Sequence, residues 1–152
     1  MSKTLLVVYH SQSGASARLA QAACRGAANE AATQQRLLRA VDAGAPELAQ
    51  ADALLLVCAE NSGALCGAMK DFLDRVFYPA VERRLVLPYA LLLSAGNDGR
   101  GAERQAQRIL SGIPFTPAAQ PLILRGEPGP PELAQAAELG QALAAGIEMG
   151  IF

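Results

Sequence analysis

The residues of this chain best suited to chemistry fall in three short polar loops. Ser11-Gln12-Ser13-Gly14-Ala15-Ser16 gathers three hydroxyls and a glycine just before a helical stretch. Such a turn can aim N–H and O–H groups at an anion, and the helix end adds partial positive charge, so the segment has the chemistry of a phosphate cradle. It needs no lysine or arginine. An ordinary serine-capped turn has the same composition. The segment is neither GxGxxG nor GxxxxGK[ST], which disfavours both a dinucleotide fingerprint and a nucleoside triphosphate loop. The other two loops, Glu60-Asn61-Ser62-Gly63 and Ser94-Ala95-Gly96-Asn97-Asp98-Gly99, mix glycine with short polar side chains.

Isolated reactive residues contribute less. His10 is the only histidine, and its charge could change near neutral pH. It has no partner visible in the sequence, and a histidine at a strand end can equally orient the adjacent loop. Cys24, Cys58 and Cys66 form no CxxC pair and no zinc-like cluster. An odd count suits a reducing compartment better than a disulfide framework. Cys58 reads as a small buried side chain. Neither Cys58 nor Cys66 opens the C-x5-R loop of a small tyrosine phosphatase. Lys70, Asp74 and Arg75 lie on one helix flank, where Lys70 and Asp74 can pair at i, i+4 and Arg75 can anchor the helix.

With 13 basic and 14 acidic side chains and a net charge of -1, the chain builds no strong field for nucleic acid or anionic lipid. A small-molecule partner is expected. The 51% hydrophobic content of the 152 residues suffices for one packed core, so residues 1–152 are read as a single domain. The start, Met1-Ser2-Lys3-Thr4, runs directly into an apolar stretch too short for a signal-peptide core or a membrane span. A cytoplasmic location follows as an expectation.

Strands must position these loops. Apolar runs recur at Leu5 to Tyr9, Leu37 to Val41, Ala53 to Cys58, Ala90 to Ala95 and Leu122 to Leu124, and unbroken runs suit strands covered on both faces. Between them, Leu65, Met69, Phe72, Leu73 and Val76 recur at helical spacing, as do Leu133, Ala136, Gly140, Leu143 and Ile147. Further helices are expected over Ala15 to Asn29 and Gly101 to Leu110, with a short one near Ala45 to Gln50. Pro130-Pro131-Glu132 supplies a proline start for the last. The alternation predicts an α/β doubly wound sheet of five parallel strands with helices on both faces, compatible with the order 2-1-3-4-5. Ligands bind such sheets at the carboxyl ends of the strands, which is where all three loops fall.

The loops and the helix after the second one resemble the flavodoxin-like family. Ser11 to Ser16 is similar to the hydroxyl-rich turn that wraps the phosphate of flavin mononucleotide (FMN). The segment Ala59 to Arg75 resembles the part following the third strand in FMN-binding NAD(P)H-dependent oxidoreductases and quinone reductases. Their Gly-x-x-Lys-x-Phe-x-Asp-Arg pattern is carried here by Gly67, Lys70, Phe72, Asp74 and Arg75. Ser94 to Gly99 resembles the loop that meets the polar edge of the flavin ring. Asn61 and Ser62 stand where family members often carry an aromatic residue.

The resemblance implies FMN bound by Ser11, Gln12, Ser13, Gly14, Ala15, Ser16, Glu60, Asn61, Ser62, Gly63, Ser94, Gly96, Asn97, Asp98 and Gly99. NAD(P)H is the implied electron donor and a quinone-like or other small molecule the acceptor. A non-catalytic electron carrier and a flavin-free interaction module are the alternatives. Strands ending in Tyr9-His10 and Cys58-Ala59 lack the acidic cluster of a phosphoaspartate receiver. The apolar end, Gly146 to Phe152, either packs on the sheet or joins a second copy of the chain.

Overall fold

The computed structural model describes residues 2–152. Its centre is built from β1 (Lys3–Tyr9), β3 (Ala53–Asn61) and β5 (Pro88–Ala95). These strands carry the unbroken apolar runs because both their faces are covered. Along β3, Leu54, Leu56 and Cys58 enter one core cluster while Leu55 and Val57 enter the other, so a period of two is hidden inside a continuous run.

The first cluster lies against α2 (Ala45–Ala49), α3 (Gly67–Glu82) and α4 (Arg100–Gly112), and the second against α1 (Ala15–Ala27) and α5 (Pro130–Met149). Helices therefore cover both faces, as the sequence predicts. α1 and α5 meet backbone to backbone: a Cβ built on Gly26 would overlap the Ala137 carbonyl, and one on Gly140 the Ala23 carbonyl. This contact accounts for the alanine and glycine content of both helices.

The edge strand β2 (Thr33–Arg39) pairs in parallel with β1. It lies four residues earlier than its apolar run implies at the start, because an edge strand has no need of continuous apolar residues. Val41, part of that run, is exposed in a 3-10 turn spanning Ala40–Asp42.

The strand count also differs from the expected five. The sheet has seven strands in the order β2-β1-β3-β5-β6, where β6 is Thr116–Pro117, with two strands off this path. One is β4 (Ala64–Leu65), which folds back antiparallel on β3; the other is β7 (Leu122–Arg125), which runs parallel to β5. The position expected for a single fifth strand is shared by β6, beside Pro88 and Tyr89, and β7, beside Leu92 to Ala95.

At the far end, Gly150 closes α5 in a left-handed conformation with φ 67°, and the Ile151 amide donates to the Gly146 carbonyl at 3.0 Å. Phe152 lies against Gly146, yet Met149, Ile151 and Phe152 all stay exposed. No helix among the described residues is long and apolar enough to cross a membrane.

Candidate functional site

All three polar loops emerge at the carboxyl ends of the parallel strands. Residue 10 follows β1 and its amide donates to the Val57 carbonyl at 3.1 Å, which holds the first loop against β3. Gly14 adopts φ 99° at the cap of α1, and its amide donates to the Ser11 hydroxyl at 3.0 Å. This turn leaves the first helical amides, those of Ala15, Ser16 and Ala17, with no acceptor among the described residues.

α4 is treated differently: the Gly101 and Ala102 amides of its first turn donate to Glu60, while at α2 and α5 a glutamate takes only the N-cap amide. At α1 no acidic side chain lies in the first turn. Uncapped donors and helix polarity there fit an incoming anion.

A hollow of about 500 Å³ opens at this point, lined by Tyr9, His10, Ser11, Gln12, Ser13, Gly14 and Ala17, with Arg39 and Val41 on its outer side. Ala15 and Ser16 are buried behind it. A second hollow, also about 500 Å³, is lined by Glu60, Ser62, Gly63, Gly96, Asn97, Asp98, Gly101 and Arg104. Asn61 links the two: its side-chain amide donates to Oε1 of the Gln12 side chain at 3.2 Å. Ser94 and Gly99 sit further back, Ser94 paired in the sheet between Ala59 and Leu124, and Gly99 against Ile123 at the cap of α4.

The second hollow owes its shape to a hairpin absent from the sequence reading. Ser62 and Gly63 take φ 50° and 76° between β3 and β4, the pattern of a two-residue turn with both central residues left-handed. Ser-Gly between two short pairable stretches was the available signal. Glu60 fastens the hairpin to α4. Its Oε1 accepts from the Gly99 amide at 3.2 Å, and its Oε2 accepts from Gly101 at 3.0 Å and Ala102 at 3.3 Å. The Gln105 side chain accepts from the Leu65 amide at 2.8 Å. Glu60 is thus engaged by both oxygens.

Beneath the loops, Cys66 caps α3. The Cys58 thiol donates to the Cys66 sulfur, and the Met69 amide and the nearby His10 add to the effect, holding the Cys66 thiol down at about 6 against its usual 9.0. The same hydrogen bond, with burial, pushes Cys58 well above its usual value. All three cysteines are free. On the flank of α3, Lys70 and Asp74 pair at 2.8 Å, as their spacing predicts. Arg75 anchors the chain as expected, donating to the carbonyls of Ala40 and Ala43 at 2.7 and 2.9 Å.

A family model described as NADPH-dependent FMN reductase matches residues 7–122, a span that takes in every loop described above. The chain belongs to that family. The NADPH-dependent FMN reductases are a flavodoxin-like, FMN-binding family, and this chain's phosphate-ready turn and paired hollows fit a flavin nucleotide. No curated protein matches the chain.

Among solved structures, a flavodoxin from the domain Archaea superposes with a TM-score of 0.84 at 20% identity, covering 95% of this chain and 99% of that one. The Streptococcus pneumonia TIGR4 flavodoxin gives 0.76 at 14% identity, covering 93% and 98%. Rubredoxin oxygen:oxidoreductase from Desulfovibrio gigas gives 0.79 at 14% identity, covering 97% of this chain but 37% of that one. At these identities the likeness is one of fold, and this NADPH-dependent FMN reductase family member shares its flavodoxin-like parallel sheet with all three.

Proposed function

We propose that the protein is a reductase that draws electrons from NADPH or NADH and delivers them to a quinone-like or other small acceptor by way of bound FMN. The observation that carries this reading is the first turn of α1. Its Ala15, Ser16 and Ala17 amides have no acceptor among the described residues and lie beside a hydroxyl-lined hollow, whereas the Gly101 and Ala102 amides in the first turn of α4 are taken by Glu60.

In this reading Ser11, Gln12, Ser13, Gly14, Ala15 and Ser16 hold the phosphate. Asn61, Ser62 and Gly63, with Ser94, Gly96, Asn97, Asp98 and Gly99, border the ring. Glu60 serves by position, since its carboxylate is spent on α4. The chemistry supplied when FMN is bound is electron transfer from a nicotinamide donor to the acceptor. The residues around it need only bind, orient and tune, so the lack of an acid–base triad is no objection. Asn61 and Ser62 bring no aromatic ring to stack on the flavin, the feature that best supports the flavin-free alternative.

A net charge of -1 supports this reading over an electron carrier, because flavodoxin carriers resemble one another in strong acidity. The three free thiols support a reducing, cytoplasmic setting. The test is to mix FMN-loaded protein anaerobically with NADPH or NADH and follow the flavin band. Bleaching is expected. A yellow protein that neither nucleotide bleaches would instead be a carrier, and a colourless one that ignores added FMN an interaction module.

A further inference from the structure

Arg100, Arg104 and Arg108 stand one helical turn apart on the exposed face of α4, a spacing of about 6 Å per step along the axis. Their charges are not equivalent. Arg100 is spent locally: its guanidinium meets both carboxylate oxygens of Glu103 at 3.1 Å. Arg104 and Arg108 have no carboxylate within ion-pair distance among the described residues.

Arg104 also lines the second hollow, where it is the sole cationic side chain among the lining residues. Of the two carboxylates there, Glu60 is occupied by the amides of α4, and Asp98 accepts from the Arg100 amide at 3.1 Å. A free guanidinium at the mouth and a second one turn outward make a short cationic track leading away from the hollow.

We propose that Arg104 and Arg108 bind the phosphates of the nicotinamide dinucleotide donor, with Arg104 at the mouth of the hollow and Arg108 further out. This rests on the reductase reading above. Guanidinium groups suit the task, because their planar fork meets phosphate oxygens two at a time. The alternative for these arginines is a solvated helix face.

Two measurements on the FMN-loaded protein test the assignment. The first is steady-state reduction by NADPH and by NADH in the wild type, Arg104→Gln, Arg108→Gln and the double variant, with Arg83→Gln as an exposed control at the far end of α3. The KM for NADPH should rise about tenfold per lost contact, equivalent to ~1.4 kcal/mol each, with kcat and FMN affinity unchanged. A rise confined to NADPH assigns the track to the 2′-phosphate, and an equal rise with NADH assigns it to the diphosphate. Unchanged KM values, or a loss of FMN affinity alone, overturn the proposal.

The second measurement is calorimetric binding of 2′,5′-ADP and of ADP, which needs no turnover. Binding of either that the double variant abolishes supports the track, even in a protein that neither nucleotide reduces. That outcome would sink the reductase reading by itself. Failure of the wild type to bind both compounds overturns the arginine assignment whatever the turnover.

Discussion

Gly101, in the first turn of α4, lies directly against the carbonyl of Gly63 at the tip of the β3–β4 hairpin, and a Cβ at 101 would overlap that oxygen. The backbone contact, the Glu60 carboxylate and the Gln105 side chain lock hairpin and helix together. The wall of the second hollow is therefore one unit made from two distant stretches of chain.

Gly101→Ala should force these pieces apart. An overlap with backbone is relieved only by moving one element, and overpacking of this kind costs about 1 to 3 kcal/mol. The expected result is a lower Tm together with weaker FMN binding by fluorescence titration. An unchanged FMN affinity would detach the hairpin from the flavin site.

Glu60→Ala removes the acceptor for the amides of Gly99, Gly101 and Ala102. Stripping partly buried donors of their partner costs about 1 to 3 kcal/mol. Denaturant titration should find that loss, with Glu60→Gln intermediate because it keeps one acceptor oxygen but loses the charge. Equal stability of all three proteins would leave the cap without energetic meaning.

FMN should bind at least ~100-fold more tightly than riboflavin, a difference of roughly 2.7 kcal/mol. In the proposed site the free amides at Ala15, Ser16 and Ala17 and the Ser11 and Ser13 hydroxyls would meet the phosphate, which riboflavin lacks. Hydrogen bonds to a charged group contribute about 1.5 to 3 kcal/mol each, so two suffice. Replacing Ser13 and Ser16 together by alanine should narrow the gap without closing it, since the backbone donors remain. Equal affinity for the two flavins in the wild type would reduce the first loop to a capped turn.

Cys66 links stability to pH. Its folded value is lowered from 9.0 to about 6, first by the Cys58 thiol. A depressed acid adds stability that is complete above the unfolded value and is lost as pH falls through the folded one. The advantage of the wild type over Cys66→Ser should therefore shrink between pH 9.0 and about 6. Cys58, raised by its hydrogen bond to Cys66 and by burial, acts in the opposite sense above 9.0. Serine is a good helix cap, so the variant should fold. A stability difference independent of pH would mean that Cys66 stays a neutral thiol.

Much of this fold is legible along the chain because the central strands are apolar on both faces. Leu5 to Val8 and Leu54 to Cys58 announce themselves by composition alone. Thr33 to Leu38 does not, since an edge strand alternates and pairs on one side. β4 and β6, two residues each, are too short to show any period. The site divides along the same line. The turn Ser11 to Ser16 is local, and its residues are consecutive, so the chemistry they offer can be read directly. The role of Glu60 depends on amides 39 to 42 residues away, and no local pattern encodes a contact of that span.

The division of the last strand position into β6 and β7 bears on how copies of the molecule meet. A sheet edge with a long row of free N–H and C=O groups recruits strands from other molecules. Here an approaching strand would find two residues, one of them Pro117 with no N–H to offer, then a break, and only then the four residues Leu122–Arg125. The broken edge gives an intruder no continuous register, so this side of the sheet guards the protein against runaway strand addition during folding and at high concentration.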